Sequence, residues 1–271
     1  MKVILSRKGF DSTYGGCPSP ILPDGTMVSM PIPSEHDKRK YKDLAFPGGG
    51  TYLDAWQSLK PSGKKILTCH LDPDIRKGIR NEEKGWKPTF GQCEAAQGHL
   101  INQKIKEKDL FLFFGWFRKA DYIDGKLRYV KDAPLIHAIY GYLQIESILT
   151  DREVEKCHWH PHSKYLKTTN NTIYVATDTL RIDNKEYGLP GAGVFDFSDD
   201  LILTADGQSH SRWELINVLN NKDIKLTYHD KEKCIKDGYF QSAARGQEFV
   251  FEENDIVTEW AKDIITKHSK Q

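Results

Sequence analysis

Several things are scarce in this sequence, and each scarcity removes a class of function. The five cysteines (Cys17, Cys69, Cys93, Cys157 and Cys234) are odd in number and dispersed, with no CxxC pair. Neither a disulfide framework nor a thiolate-rich zinc site is expected, and a reduced cytoplasmic setting is the natural reading. No apolar run reaches the roughly 18 residues that a membrane helix needs. The opening Met1–Leu5 is cut short by Arg7, Lys8 and Asp11, so a signal peptide is not expected. Neither sign of charge is in excess: 39 Lys+Arg against 38 Asp+Glu leave a net charge of +1. A protein that tracks a long duplex carries a basic surplus; this balance suits a free nucleotide or one extruded base better. GxxxxGK[ST], a GxGxxG after a strand and a GxSxG elbow are all missing. Nucleotide-triphosphatase, dinucleotide-binding and serine-hydrolase readings lose their support accordingly.

What is present describes a globular chain of 271 residues, 38% hydrophobic and 28% charged, long enough to bury a sizeable core. Residues 17–51 are rich in Pro and Gly and read as loop, with a tight turn at Asp24-Gly25. Ile66–Leu71 reads as a strand. Thr89-Phe90-Gly91-Gln92 has capping-box spacing, which predicts a helix running through Leu100 to Ile105. Asp109–Phe117 and Leu135–Ile145 are almost wholly apolar and aromatic, and read as two buried strands with a hairpin at Asp124-Gly125 between them. Thr172–Ala176 and Leu201–Thr204 add two more. Asn254 is placed to cap a helix that gathers Ile256, Val257, Trp260, Ala261, Ile264 and Ile265 on one face. The expected fold is α+β: one domain over residues 1–271, around a curved, mostly antiparallel sheet or partial barrel, with a few flanking helices.

Two polar clusters suggest chemistry. In an extended His70-Leu71-Asp72-Pro73-Asp74, residues two apart point the same way. His70, Asp72 and Asp74 would then converge as metal ligands or as a general base; a strand end with an Asp-Pro turn is the plainer reading. In Cys157-His158-Trp159-His160-Pro161-His162, the same alternation would align His158, His160 and His162, with Tyr165 close by. A surface loop with one or two hydrogen-bonded histidines is the alternative. No tightly held structural zinc is expected, because such sites draw their ligands from separated segments. Gln92, Gln97 and His99 are suited to bonding a base edge or an anion near a helix start. Arg245-Gly246-Gln247-Glu248 offers a cation for phosphate or carboxylate, beside a glycine that allows close approach.

Ser6-Arg7-Lys8-Gly9-Phe10-Asp11-Ser12, followed by Gly15-Gly16 and Pro18-Ser19-Pro20-Ile21, resembles the opening signature of a bacterial and phage family, the third nucleotide modification associated domain family. Four further stretches match in order: Gly91-Gln92 to Gly98-His99, Asp109–Phe117, His160-Pro161-His162 to Ala176, and Arg245–Val250. The resemblance implies an association with the modification of nucleotides or DNA bases and specifies no reaction and no cofactor. The strand pair at 109–117 and 135–145 is also similar to PUA-like base-binding cores, by fold analogy. On motif position and chemistry, an enzyme acting on a nucleotide or DNA base would use Asp11, His160 and Glu248 for acid/base work. Arg7, Lys8 and Arg245 would hold phosphate or ribose, with Ser12, Gln92, His99, Trp116, Tyr165 and Gln247 completing the substrate site. The alternatives are a non-catalytic reader of a modified base, around Trp116 and Tyr142, and a metal-dependent nuclease using His70, Asp72, Asp74 and His158. A nucleotide or DNA base is the expected partner and a membrane is not; the sequence names no protein partner.

Overall fold

The computed structural model describes residues 1–62, 66–81, 83–244 and 246–269. Its architecture is mixed α/β, mostly sheet with few helices. The principal sheet of the described residues has nine strands: β1 (Val3–Arg7), β2 (Ser19–Ile21), β3 (Thr89–Gln92), β4 (Leu110–Ile123), β5 (Lys126–Tyr129), β6 (Ile136–Thr150), β7 (Thr172–Ala176), β8 (Ala192–Val194) and β9 (Glu248–Val250). The order is β9-β1-β4-β6-β7-β3, with β2 and β5 also on β4 and β8 on β6. β4 runs parallel to β1 and β2, and the other pairings are antiparallel.

The two apolar runs make the centre of this sheet. Leu110–Phe114 and Ile136–Ile145 are buried throughout, as near-continuous hydrophobic strands are when both faces are covered. Phe90 of β3 packs on Phe111 and Phe113 with ring centroids 4.9 and 5.3 Å away, both tilted by 70°, the edge-to-face arrangement that ring quadrupoles favour. Among the described residues the path of the sheet is open and no barrel closes by backbone pairing. Its two end strands nonetheless meet through side chains: Gln92 of β3 donates to Glu248 of β9 at 2.7 Å. The sheet therefore curls far enough to bring its ends within one hydrogen bond.

Helix α1 (Tyr52–Leu59) opens on a capping box between Thr51 and Asp54. The Pro- and Gly-rich stretch before it is more than loop. Met30, Tyr41 and Leu44 are fully buried and form a second apolar cluster with Phe10 and Trp56. The capping-box reading of Thr89–Gln92 is corrected: these residues form β3, paired with Thr172–Val175. Helix α2 (Glu94–Asn102) begins after Cys93 without a side-chain cap. Pairing in the sheet claims the backbone of Thr89 and Gln92, and tertiary context overrides the local signal. Of Ile66–Leu71 only Cys69–His70 is strand, paired with Ile32–Pro33. Leu201–Thr204 makes isolated bridges after a 3-10 turn, not a strand of its own. Asp124-Gly125 turns β4 into β5, so β5 stands between the two long strands in sequence. Helix α3 (Asp255–His268) starts where Asn254 accepts from the Ile256 amide. It buries Val257, Ala261, Ile264 and Ile265, while Ile256 stays exposed. No helix among the described residues is long and apolar enough to cross a membrane.

Phe113 sits at 0% exposure between Phe90, Phe111 and Tyr140. Phe113→Ala should lower the free energy of unfolding by about 3–5 kcal/mol, read from urea denaturation midpoints. A loss below about 1 kcal/mol would contradict this packing.

Candidate active site

A cavity of about 790 Å³ opens where β1 ends, lined by Arg7 at the end of that strand and by Lys8, Asp11 and Ser12 of the loop after it. One wall is built on Asp72. Its Oδ1 accepts from the Gly91 amide at 2.8 Å and lies 3.1 Å from His160 Nε2. The His162 amide donates to His160 Nδ1 at 3.3 Å, so the His160 proton is on Nε2, which donates to Asp72. Asn171 Nδ2 donates to the His162 carbonyl at 2.9 Å, which turns Asn171 Oδ1 toward His162 Nδ1 at 2.7 Å. His162 therefore carries its proton on Nδ1 and keeps a free lone pair on Nε2. His70 Nδ1 donates to Asp37 at 3.0 Å, leaving Nε2 free at 3.9 Å from Asp72 Oδ2. The Tyr165 hydroxyl also donates to Asp37, at 2.9 Å.

Burial would raise the Asp72 carboxyl, but the His160 hydrogen bond and the neighbouring imidazoles outweigh it and hold the group well below the ordinary carboxylate range. Burial pushes His162 down to about 3, so its ring is neutral. Burial, then the charge of Asp37, pushes the Tyr165 phenol up.

The floor is a buried ion pair. Glu248, 1% exposed, accepts on Oε1 from Lys8 Nζ at 2.9 Å and from Gln92 Nε2 at 2.7 Å. Its Oε2 has no partner among the described residues. Strand pairing of β1 with β9, Ser6 opposite Glu248, sets this up. Arg7 donates to the Gly246 carbonyl at 2.9 Å.

Trp116, His137 and His210 also line the cavity. Trp213 Nε1 donates to His137 Nδ1 at 3.1 Å, so His137 carries its proton on Nε2. Burial pushes His137 down to about 3. The His210 ring lies 4.8 Å from His137 and 5.7 Å from Trp116, and Trp116 Nε1 is buried with no partner among the described residues.

Of the residues singled out by sequence, Arg7, Lys8, Asp11, Ser12, His70, Asp72, Gln92, Trp116, Tyr165 and Gln247 line the cavity together. His160 and Glu248 lie behind its surface, holding Asp72 on one side and Lys8 with Gln92 on the other. Asp11 is exposed at the mouth, where its carboxylate accepts from the Thr13 and Tyr14 amides. His99 lies outside, against Thr227 and Tyr228. Arg245 falls outside the described residues. Period-2 alternation does not hold for either polar cluster. Asp74 is buried and taken by Arg80 and Trp86. His158 is half-exposed beside Glu83. The reason is local: the strand ends at His70, and 3-10 turns flank His158–His162, where side chains do not alternate. Tyr142, placed with Trp116 in the reader pocket, is core instead: fully buried, with its hydroxyl on the Pro190 carbonyl. Sequence reasoning passed over His137, although a polar residue inside an apolar strand is a signal. Asp37, Asn171 and His210 carried none.

A family model described as nucleotide modification associated domain 3 matches residues 2–252. No curated protein and no solved structure matches the chain.

Two outcomes test this geometry. A Cβ on Gly91 would lie 2.3 Å from His162 Cδ2 and 2.7 Å from His160 Cε1. Gly91→Ala should therefore displace both rings, seen as shifted histidine ring resonances in NMR; unchanged resonances would contradict the packing. For His137 the folded pKa, about 3, lies below the ordinary 6.5, so the unfolded chain binds the extra proton between these values. Stability should fall as pH drops below about 6.5. His137→Asn should flatten that acid limb in pH-dependent denaturation; equal slopes would count against a neutral buried His137.

Proposed function

The chain belongs to the nucleotide modification associated domain 3 family, and from that premise we propose that it is an enzyme acting on a nucleotide or on a single DNA base. The observation that carries this reading is the shared cavity. The end of β1 and the loop after it bring Arg7, Lys8 and Ser12 to the same 790 Å³ space that His70, Asp72, His162 and Tyr165 face. That volume falls within the roughly 300–1,000 Å³ of small-molecule sites.

The residues that line the cavity divide the work. Trp116 and His210 offer flat faces for a base, and the His137 Nε2 proton offers a donor to its edge. The Arg7 guanidinium suits phosphate, which it binds through two parallel donors. His70, Asp72, His162 and Tyr165 form the reacting end, where three free lone pairs face the cavity beside a phenol. His160 and Glu248 are positioning residues, one fixing Asp72 and the other fixing Lys8 and Gln92. Asp11 shapes the mouth. The near-neutral net charge of +1 favours a free nucleotide or an extruded base over a tracked duplex. A reader needs a stacking pocket only, and the polar wall around Asp72 favours the enzyme.

The test is mass spectrometry after incubation with nucleotides, single-stranded DNA and duplex, with and without added divalent metal. A product of changed mass is expected with the native protein. Asp72→Asn should abolish it while keeping nucleotide affinity within about tenfold. Trp116→Ala should cost roughly 1–3 kcal/mol of binding, with melting curves to show that the fold survives. Binding without any mass change across the panel would overturn the enzyme and leave the reader.

A further inference from the structure

We propose that His70, Asp72 and His162 form a mononuclear divalent-metal centre open to the cavity. One ligand atom from each lies within 4.8 Å of the other two. Two donors held about 2.1 Å from one ion at tetrahedral angles lie about 3.4 Å apart. The 3.9 Å between His70 Nε2 and Asp72 Oδ2 is about half an ångström beyond that, and a separation at the 4.8 Å bound would close by about 1.4 Å.

Hydrogen bonding leaves one free acceptor atom on each of the same three residues. Asp37 holds the His70 proton on Nδ1, Asn171 holds the His162 proton on Nδ1, and His160 with the Gly91 amide occupies Asp72 Oδ1. What remains is three acceptors, His70 Nε2, His162 Nε2 and Asp72 Oδ2, with no donor between them among the described residues. Converging lone pairs repel unless a cation or water separates them. Each ligand is also tied at its rear by a carboxylate, an amide or an imidazole, as metal-binding histidines and carboxylates are. A simple polar network would instead pair acceptors with donors, as Asp74 is paired with Arg80 and Trp86.

Two imidazoles and one carboxylate select a first-row ion such as Fe²⁺, Mn²⁺, Co²⁺ or Zn²⁺ over Mg²⁺ or Ca²⁺, which prefer all-oxygen sets. Three protein ligands leave coordination positions free on the cavity side, as in catalytic rather than structural sites. The inference deepens the nucleotide reading by naming the cofactor class of the same site, but its geometry does not require a nucleotide.

The experiment is anaerobic titration of chelator-treated full-length protein with Co²⁺, followed by calorimetry and visible absorption, with no nucleotide present. One ion per chain is expected, with ligand-field bands that Zn²⁺ displaces. His70→Gln and His162→Gln should each weaken binding at least about a hundredfold, and Asn171→Ala about 10–100-fold. His158→Gln, at an exposed imidazole, should leave it unchanged. Circular dichroism and melting curves establish that each variant is folded. No Co²⁺ binding by the native protein below about 1 mM, or binding retained in a folded His70→Gln/His162→Gln double variant, would overturn the centre. Stoichiometric Co²⁺ binding here, together with no mass change across the nucleotide and DNA panel above, would support the centre and overturn the enzyme reading alone.

Discussion

Glu248 is buried at the inner end of β9, and its Oε1 accepts from Lys8 at the end of β1 and from Gln92 at the end of β3. β3 and β9 are the two ends of the sheet's path, so this one oxygen bridges a gap that no backbone pairing closes. A carboxylate buried this deeply is tolerated because it has a cation and an amide donor. The Lys8 ammonium is further seated 4.5 Å from the centre of the Phe90 ring, which ties the polar floor to the aromatic core. This contact joins the two ends of the sheet's path and anchors Lys8 at the start of the loop that lines the cavity.

Gly91 carries the same constraint into the wall built on Asp72. It lies between Phe90, which is core, and Gln92, which holds Glu248, and its amide fixes Asp72. The missing Cβ leaves room for the His162 and His160 rings. Three consecutive residues of β3 thus connect packing, ion pair and cavity wall.

Much of the scaffold was legible because it rests on local pattern. The unbroken apolar runs of β4 and β6 could hardly be anything but buried strands, and Asn254 before a helical stripe marked α3. The parts that were misread depend on distant partners. Thr89–Gln92 carries helix-start chemistry but spends it on β7 and Glu248. His70–Asp74 and His158–His162 suggested strand alternation, and the backbone there turns instead, so Asp72 joins His162 while Asp74 and His158 go elsewhere. Asp37 and Asn171 gave no signal, because their role exists only once His70 and His162 are placed in space. The N-terminal stretch and the His160-Pro161-His162 stretch stand out in the sequence; that Arg7, Lys8 and His162 line one cavity does not.

The central claim is that a nucleotide lies across this cavity, base toward Trp116 and reacting atom toward Asp72. The most direct measurement is a crystal structure of the protein soaked with nucleotides. The account requires the base against the Trp116 and His210 rings, phosphate within reach of Arg7, and the atom to be modified facing His70, Asp72 and His162. A nucleotide bound on another face, or one seated here with that atom turned away from Asp72, would contradict it.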